Sequence, residues 1–384
     1  NDNTQYCQCE NCQAMDEKDG GPTGTLLNFV NEVARTFPDK TISTLAYQYT
    51  RKPSTVVPEK YVLITLCSIE CDRSGPIADK CQAFAEDLKG WKELTENVRI
   101  WDYTTQFTNF LAPFPNIHTL QPNIKFFSDN NARWIFEQHS NNPSELFELR
   151  SYVTAKLLWN PDYTIIELID EFTKGYYQEA GPFVSDYVTR IHEELQKHPD
   201  FFLFLYGDPS QAFDSYLNPD LLLEYKGLFD AAEAAVSYDT ELVARVKRAR
   251  LSVDYAILEA AKKGLSEALS LTIQNKDQKQ ANNEILRLLD TFKETCEGAD
   301  ITLMNEMGYT VAEYVTNYRK TVTVAVKPNK AVGMQVTLLT LPKKYADEDP
   351  QTLTDGALGG NNFYANWLGF EGNSMEAVID MGCL

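Results

Sequence analysis

No stretch of this sequence approaches the roughly 20 consecutive apolar residues that a membrane span requires, and no signal-peptide succession occurs. Positive charge is scarce: 35 Lys and Arg stand against 55 Asp and Glu, a formal charge of -20. A surface of that sign repels phosphates, which argues against nucleic acid and favours an uncharged or weakly charged ligand. Compact chemical signatures are missing too. No G-x-G-x-x-G follows an apolar run, which removes the usual dinucleotide reading, and there is no P-loop, H-E-x-x-H or G-x-S-x-G elbow. Nothing calls for a cofactor. Histidine numbers only 4: His118, His192 and His198 stand in helical or loop contexts with no clear partner, and His139 follows an expected strand end.

What is present is a globular composition, 43% hydrophobic and 12% aromatic over 384 residues, enough for about two or three domains. The opening Asn1-Asp2-Asn3 lacks an initiating Met, and the close, Ile379 to Leu384, is apolar. Both ends read as cut from a longer polypeptide. No oligomeric state is implied.

The most informative stretch is Tyr61 to Asp72, YVLITLCSIECD. Its unbroken apolar run suits a strand covered on both faces, as in a parallel sheet flanked by helices. It then breaks into Cys67, Ser68, Glu70, Cys71 and Asp72. Similar strands are expected at Thr41–Tyr49, Val98–Trp101 and Ala132–Phe136, with a helix before the first at Leu26–Phe37 and helices between strands at Asp79–Leu94 and Thr119–Asn130. Ser144 is expected to cap a further helix, Glu145–Trp159. This alternation implies βα units. A doubly wound sheet gathers its site at one switch point, whereas here every strand ends in polar or aromatic side chains. The fold class expected for residues 1–160 is therefore α/β, the second half of a TIM (β/α)8 barrel.

Residues 161–318 carry helical periodicity throughout, including Asp220–Val236, Glu241–Lys263 and Lys279–Thr295, and are expected to pack as an all-α region on the barrel. Tyr176-Tyr177 is expected to serve packing. From 319 to 384 the period turns to β, at Thr321–Val326 and Met334–Thr340. The Thr354-Asp355-Gly356 turn, Gly359-Gly360, the strand around Asn366-Trp367 and the strand Ala377–Gly382 resemble the opening of a galactose-binding-like (F5/8 type C) β-sandwich. That resemblance implies carbohydrate or cell-surface attachment.

Six of the 8 cysteines lie in the first quarter of the chain. Cys7, Cys9 and Cys12 are too tightly spaced for easy pairing of Cys7 with Cys9. They are candidates for a zinc site with a fourth ligand from the Cys67/Cys71 loop, for disulfides to that loop, or for free thiols; Cys81 belongs to the same open question.

Carboxylates held at strand ends amid aromatic rings are what glycoside hydrolysis requires. By position the candidates are Glu70, Glu137, Asp102 and, if a strand lies upstream, Asp2. Tyr47, Tyr49, Trp101, Tyr103, Gln138 and Asn3 are the candidate substrate contacts, with Phe107 and Trp134 near strand ends. The segments NDNTQYCQCENC, STLAYQYTRKP, LCSIECDRS, WDYTTQFTNFLAPFPN and IFEQ, with AKLLWNPD and GYYQEAGP, resemble glycoside hydrolase family 163 over roughly residues 1 to 200. The resemblance implies a β/α-barrel endo-β-N-acetylglucosaminidase of Bacteroides-like bacteria that cuts the core of complex N-glycans. It also implies a secreted, periplasmic or surface-attached protein and a retaining, substrate-assisted route. Glu137 or Glu70 would then be the acid/base, and Asp102 or Asp2 the partner of the acetamide. Two other readings stand beside it: an α-glucuronidase-like exo-hydrolase using Arg51, Lys52, Arg73 or Arg133 for a uronate, and a non-catalytic carbohydrate-binding protein.

Overall fold

The computed structural model describes residues 5–275, 278–327, 329–343, 349–356 and 367–382; Asp2, Asn3, Gly359, Gly360 and Asn366 fall outside them. An α-helical hairpin, α1 (Glu10–Asp19) and α2 (Pro22–Thr36), leads into β1 (Ile42–Ala46) and β2 (Val62–Cys67). Then follow α3 (Ile77–Lys80), α4 (Gln82–Leu94), β3 (Val98–Tyr103), α5 (Ile117–Asp129), β4 (Ala132–Gln138) and α6 (Phe147–Trp159). The four strands form one sheet in the order β1-β2-β3-β4, and each neighbouring pair is parallel. The expected βα units are thus present as an open sheet, and the described residues do not close it into a barrel.

The two faces of the sheet differ. Strand alternation turns Val62, Ile64, Leu66, Val98 and Ile100 toward α2, α4 and α5, where they meet Leu27, Val30, Phe84, Leu88, Trp91 and Phe127. The opposite face carries Ser43, Thr65, Arg99, Trp101 and Phe136, joined by Arg99 Nε to Thr65 at 3.1 Å. It is open at both edges: Leu45 is 37% exposed, Phe136 46% and Trp134 49%.

The remaining helices are α7 (Ile165–Tyr177), α8 (Gly181–Gln196), α9 (Pro219–Ala235), α10 (Thr240–Lys263), α11 (Asn283–Gly298) and α12 (Val311–Ala325). Helix α10 is buried on every side from Leu251 to Ala261, as a central helix must be. Asp239 caps its start by accepting from Glu241 and Leu242 backbone N–H groups, and Gly264 supplies the left-handed residue at its end, φ 66°. One apolar cluster runs without a break from Cys67 and Tyr103 at the strand ends, through Leu149, Tyr187 and Tyr225, to Tyr318 and Val322 of α12. Tyr177 is fully buried, in keeping with a packing role. Among the described residues no helix is long and apolar enough to cross a membrane.

Several boundaries differ from expectation. The β-branched run Thr321–Val326 is not a strand but the end of α12. Val311, Tyr314, Val315, Tyr318 and Val322 are buried at helical spacing, and Thr310 with Glu313 forms a capping box. Helix packing of that stripe outweighs local β propensity. Lys279 lies in an antiparallel hairpin, β5 (Thr272–Asn275) with β6 (Gln278–Ala281), and α11 begins only after the Asn282 cap. Ser144 does not cap α6; Glu145 turns inward to pair with the buried Arg150, and the helix starts at Phe147. The first strand stops at Ala46, and Gln48–Thr50 forms a 3-10 turn. Of the expected β-rich end, β7 (Val336–Leu338) and β8 (Ala377–Ile379) pair antiparallel.

Candidate active site

The C-terminal ends of β2, β3 and β4 bring one buried polar cluster together. Asp102, at 2% exposure, accepts a hydrogen bond from Ser68 Oγ and lies 3.2 Å from the guanidinium of Arg73, itself 1% exposed. Arg73 also donates to the Ser68 carbonyl at 2.7 Å and to Ser68 Oγ at 2.9 Å. Its backbone is pinned from beyond the sheet: Arg73 N–H donates to Leu203 O at 3.0 Å, and Leu203 N–H donates to Asp72 Oδ1 at 2.9 Å.

Glu137 stands beside Asp102 as its register partner on β4. Both its carboxylate oxygens are out of solvent and without a hydrogen-bond partner. Burial, then the neighbouring Asp102 charge, pushes its pKa well above the usual carboxylate range, with Arg73 pulling back. Two carboxyl groups therefore lie side by side in unlike surroundings, one held by Ser68 and Arg73 and the other buried without a partner and favoured as the neutral acid.

The aromatic candidates occupy the other face of the sheet. Trp101 Nε1 donates to Gln138 Oε1 at 2.7 Å, and the Trp101 ring meets Phe136 edge-on at 5.2 Å and Tyr103 at 6.5 Å. Cys67 lies against Tyr103; burial pushes its thiol up to about 12, tempered by a hydrogen bond from that phenol. Tyr47 packs nearby on the same core. The pleat thus sends the acids and the rings to opposite faces, and they meet only at the rim.

A segment with no expected role completes that rim. Phe202, Phe204 and Tyr206 alternate with the buried Leu203 and Leu205 in FFLFLYG, and Phe107 N–H donates to Leu205 O at 2.7 Å. Their rings continue from Phe107 to Tyr206 at 6.0 Å, to Phe204 at 5.5 Å and to Phe202 at 5.8 Å. Period-two alternation of large rings was the signal available in the sequence.

A family model described as "Domain of unknown function (DUF4838)" matches residues 1–189. No curated protein matches the chain. A solved structure of a "GH138 enzyme targeting pectin rhamnogalacturonan II" is similar at 12% identity and a TM-score of 0.34, covering 74% of this chain and 46% of its own. The chain spans less than half of that protein's length.

Other candidates lie apart. Glu70 is 42% exposed and pairs with Arg51 at 3.2 Å, which also holds Asp87 at 2.7 Å. Tyr49 stacks on Tyr6 with centroids 4.7 Å apart. Arg133 pairs with Glu96 at 2.8 Å. With Arg73 bound to Asp102, all three arginines considered for a uronate are engaged. His118 and His192 do have a partner, each other, stacked at 4.3 Å, and His139 packs edge-on against Phe147 at 4.8 Å. Cys71 is disulfide-bonded to Cys81 and Cys67 is a buried free thiol, so neither is tied to the Cys7–Cys12 segment. The bonded residues are 10 positions apart, and that short link secures the loop carrying Asp72 and Arg73. A cavity of about 640 Å³ among α10, β5, β6 and α12 is lined by Lys262, Lys263, Lys279 and Lys327 and includes none of the expected site residues.

Proposed function

We propose that the strand ends form the acid/base part of a glycoside-hydrolase site, with Glu137 as general acid and Asp102, paired with Arg73, as its partner. The observation that carries this reading is two adjacent carboxyl groups in unlike surroundings, Asp102 held by Ser68 and Arg73 and Glu137 buried without a partner, which favours Glu137 as the neutral acid that protonates a leaving oxygen. Glu137 and Gln138 are the last residues of β4, which sets the acid at the rim of the sheet, its oxygens buried, with Trp101 and Tyr103 on the opposite face. Aromatic rings offer the apolar side of a sugar an uncharged stacking surface, suited to a ligand that does not oppose a charge of -20.

In the finer reading the sheet is half of a β/α barrel and the substrate is the core of complex N-glycans, cleaved with help from the substrate's own acetamide. The motif resemblance to glycoside hydrolase family 163 supports that substrate, and the Cys71–Cys81 disulfide supports an oxidising compartment such as the periplasm or cell surface. The test is release of glycan from a complex N-glycoprotein, followed by mass spectrometry. Glu137→Gln should lower turnover by about 100-fold or more, while Glu70→Gln should leave it unchanged. Full turnover by Glu137→Gln would remove the proposed acid. Glycan retained on the protein with no cleavage by the wild type would favour a binding role.

A further inference from the structure

The Sγ atoms of Cys7, Cys9 and Cys12 all lie within 4.8 Å of one another, and none is in a disulfide. We propose that they form a three-thiolate site for a zinc ion that staples the start of the chain to the end of β1. Zinc–sulfur bonds of about 2.3 Å in tetrahedral geometry place sulfurs roughly 3.8 Å apart, so a small contraction of this cluster suffices. An all-sulfur ligand set suits a soft or borderline cation and not magnesium or calcium. Among the described residues no His, Asp or Glu joins the three, which leaves a fourth position for water.

Two features of the surroundings point the same way. Cys9 is the N-cap residue of α1 and Cys12 lies in its first turn, so one helical turn holds two of the three sulfurs at a fixed spacing. Helix α1 also lacks an apolar face: ENCQAMDEKD buries only Asp19. A ten-residue helix of that composition is marginal by itself. Its C-terminal end is held to α2 by Thr25 on Asp16 and Asn28 on Asp19, whereas at its N-terminal end Gln13 donates to the exposed Gln8 at 3.4 Å. Tyr6, next to Cys7, stacks on Tyr49 just past β1, so an ion bound here would fix that contact at the rim beside Tyr47.

The experiment is cobalt(II) titration of the full chain, purified under reducing conditions without chelator, alongside elemental analysis. We expect about one zinc per chain as isolated. After its removal, cobalt should give thiolate charge-transfer and tetrahedral visible bands that zinc bleaches. Cys9→Ser and Cys12→Ser should abolish the bands, and Cys296→Ser, a buried remote thiol, should keep them. Hydrogen exchange across residues 5–19 should speed up on zinc removal while β2 and β3 stay protected, which separates a local staple from general unfolding. Absence of the bands in reduced wild type, their persistence in Cys9→Ser, or binding of copper(I) without zinc or cobalt would each overturn the assignment.

Discussion

Asp102 and Glu137 are register partners on adjacent parallel strands, and only Asp102 has partners. Ser68 and Arg73 hold it, while both oxygens of Glu137 lack a partner. Substituting the two should therefore have opposite consequences. Asp102→Asn strands a buried guanidinium and should cost about 3–5 kcal/mol. For Glu137 the folded-state pKa is raised, so its favourable linkage is complete below the unfolded carboxylate pKa and is lost as pH rises through the folded value. Glu137→Gln should accordingly be as stable as wild type at low pH and equally or more stable at neutral pH. Urea denaturation of both variants at two pH values checks this.

Arg150 is fully buried and donates to Glu145, to Asn116 Oδ1 and, at 3.2 Å, to Phe114 O. Burial raises the Glu145 pKa even beside that cation. Arg150→Met alone should destabilise by about 3–5 kcal/mol by leaving an unpaired buried carboxylate. Adding Glu145→Leu should recover much of the loss, a coupling that a double-mutant cycle measures.

The stacked pair His118 and His192 should make the protein acid-sensitive. Burial first, then the neighbouring ring, lowers His118 to about 4, and burial lowers His192 as well. The neutral rings contribute stability that is complete above the unfolded pKa near 6.5 and is lost as pH falls toward about 4. His118→Gln should flatten that slope by at most roughly 3 kcal/mol. Thermal melts of both proteins from pH 7 to 4, compared as differences, provide the measurement.

The Cys71–Cys81 bridge closes a loop of 10 residues in sequence separation. A Cys71→Ala, Cys81→Ala double variant should lose about 2–3 kcal/mol on the chain-entropy account. Because the loop carries Asp72 and Arg73, the variant should also loosen the grip on Asp102. Amide exchange at Leu203, whose N–H is bound to Asp72, should then quicken relative to the same amide in wild type.

Much of this arrangement was legible residue by residue. A continuous apolar run marked β2, because a strand covered on both faces needs no polar alternation, and short β-branched and aromatic runs marked β3 and β4. Thr321–Val326 misled because its β-branched residues finish a helical stripe that starts at Val311. The cysteine pairing was not legible, since spacing does not rank Cys81 over the Cys7–Cys12 segment as a partner for Cys71. One relation could have been counted from the letters alone. In Trp101-Asp102-Tyr103 and Phe136-Glu137-Gln138 the period of two already separates acids from rings. FFLFLYG was passed over because it belongs to no strand; its alternation registers against Arg73 and Phe107 only through long-range contacts.

The continuous apolar cluster from Cys67 to Val322 bears on where this chain can be divided. The family match ends at residue 189, inside α8 (Gly181–Gln196), whose Val184, Tyr187, Val188 and Ile191 are buried in that cluster. The limit of recognisable sequence kinship and the limit of cooperative melting are then different things. A fragment stopped at 189 would cut through α8 and bare residues that the cluster buries.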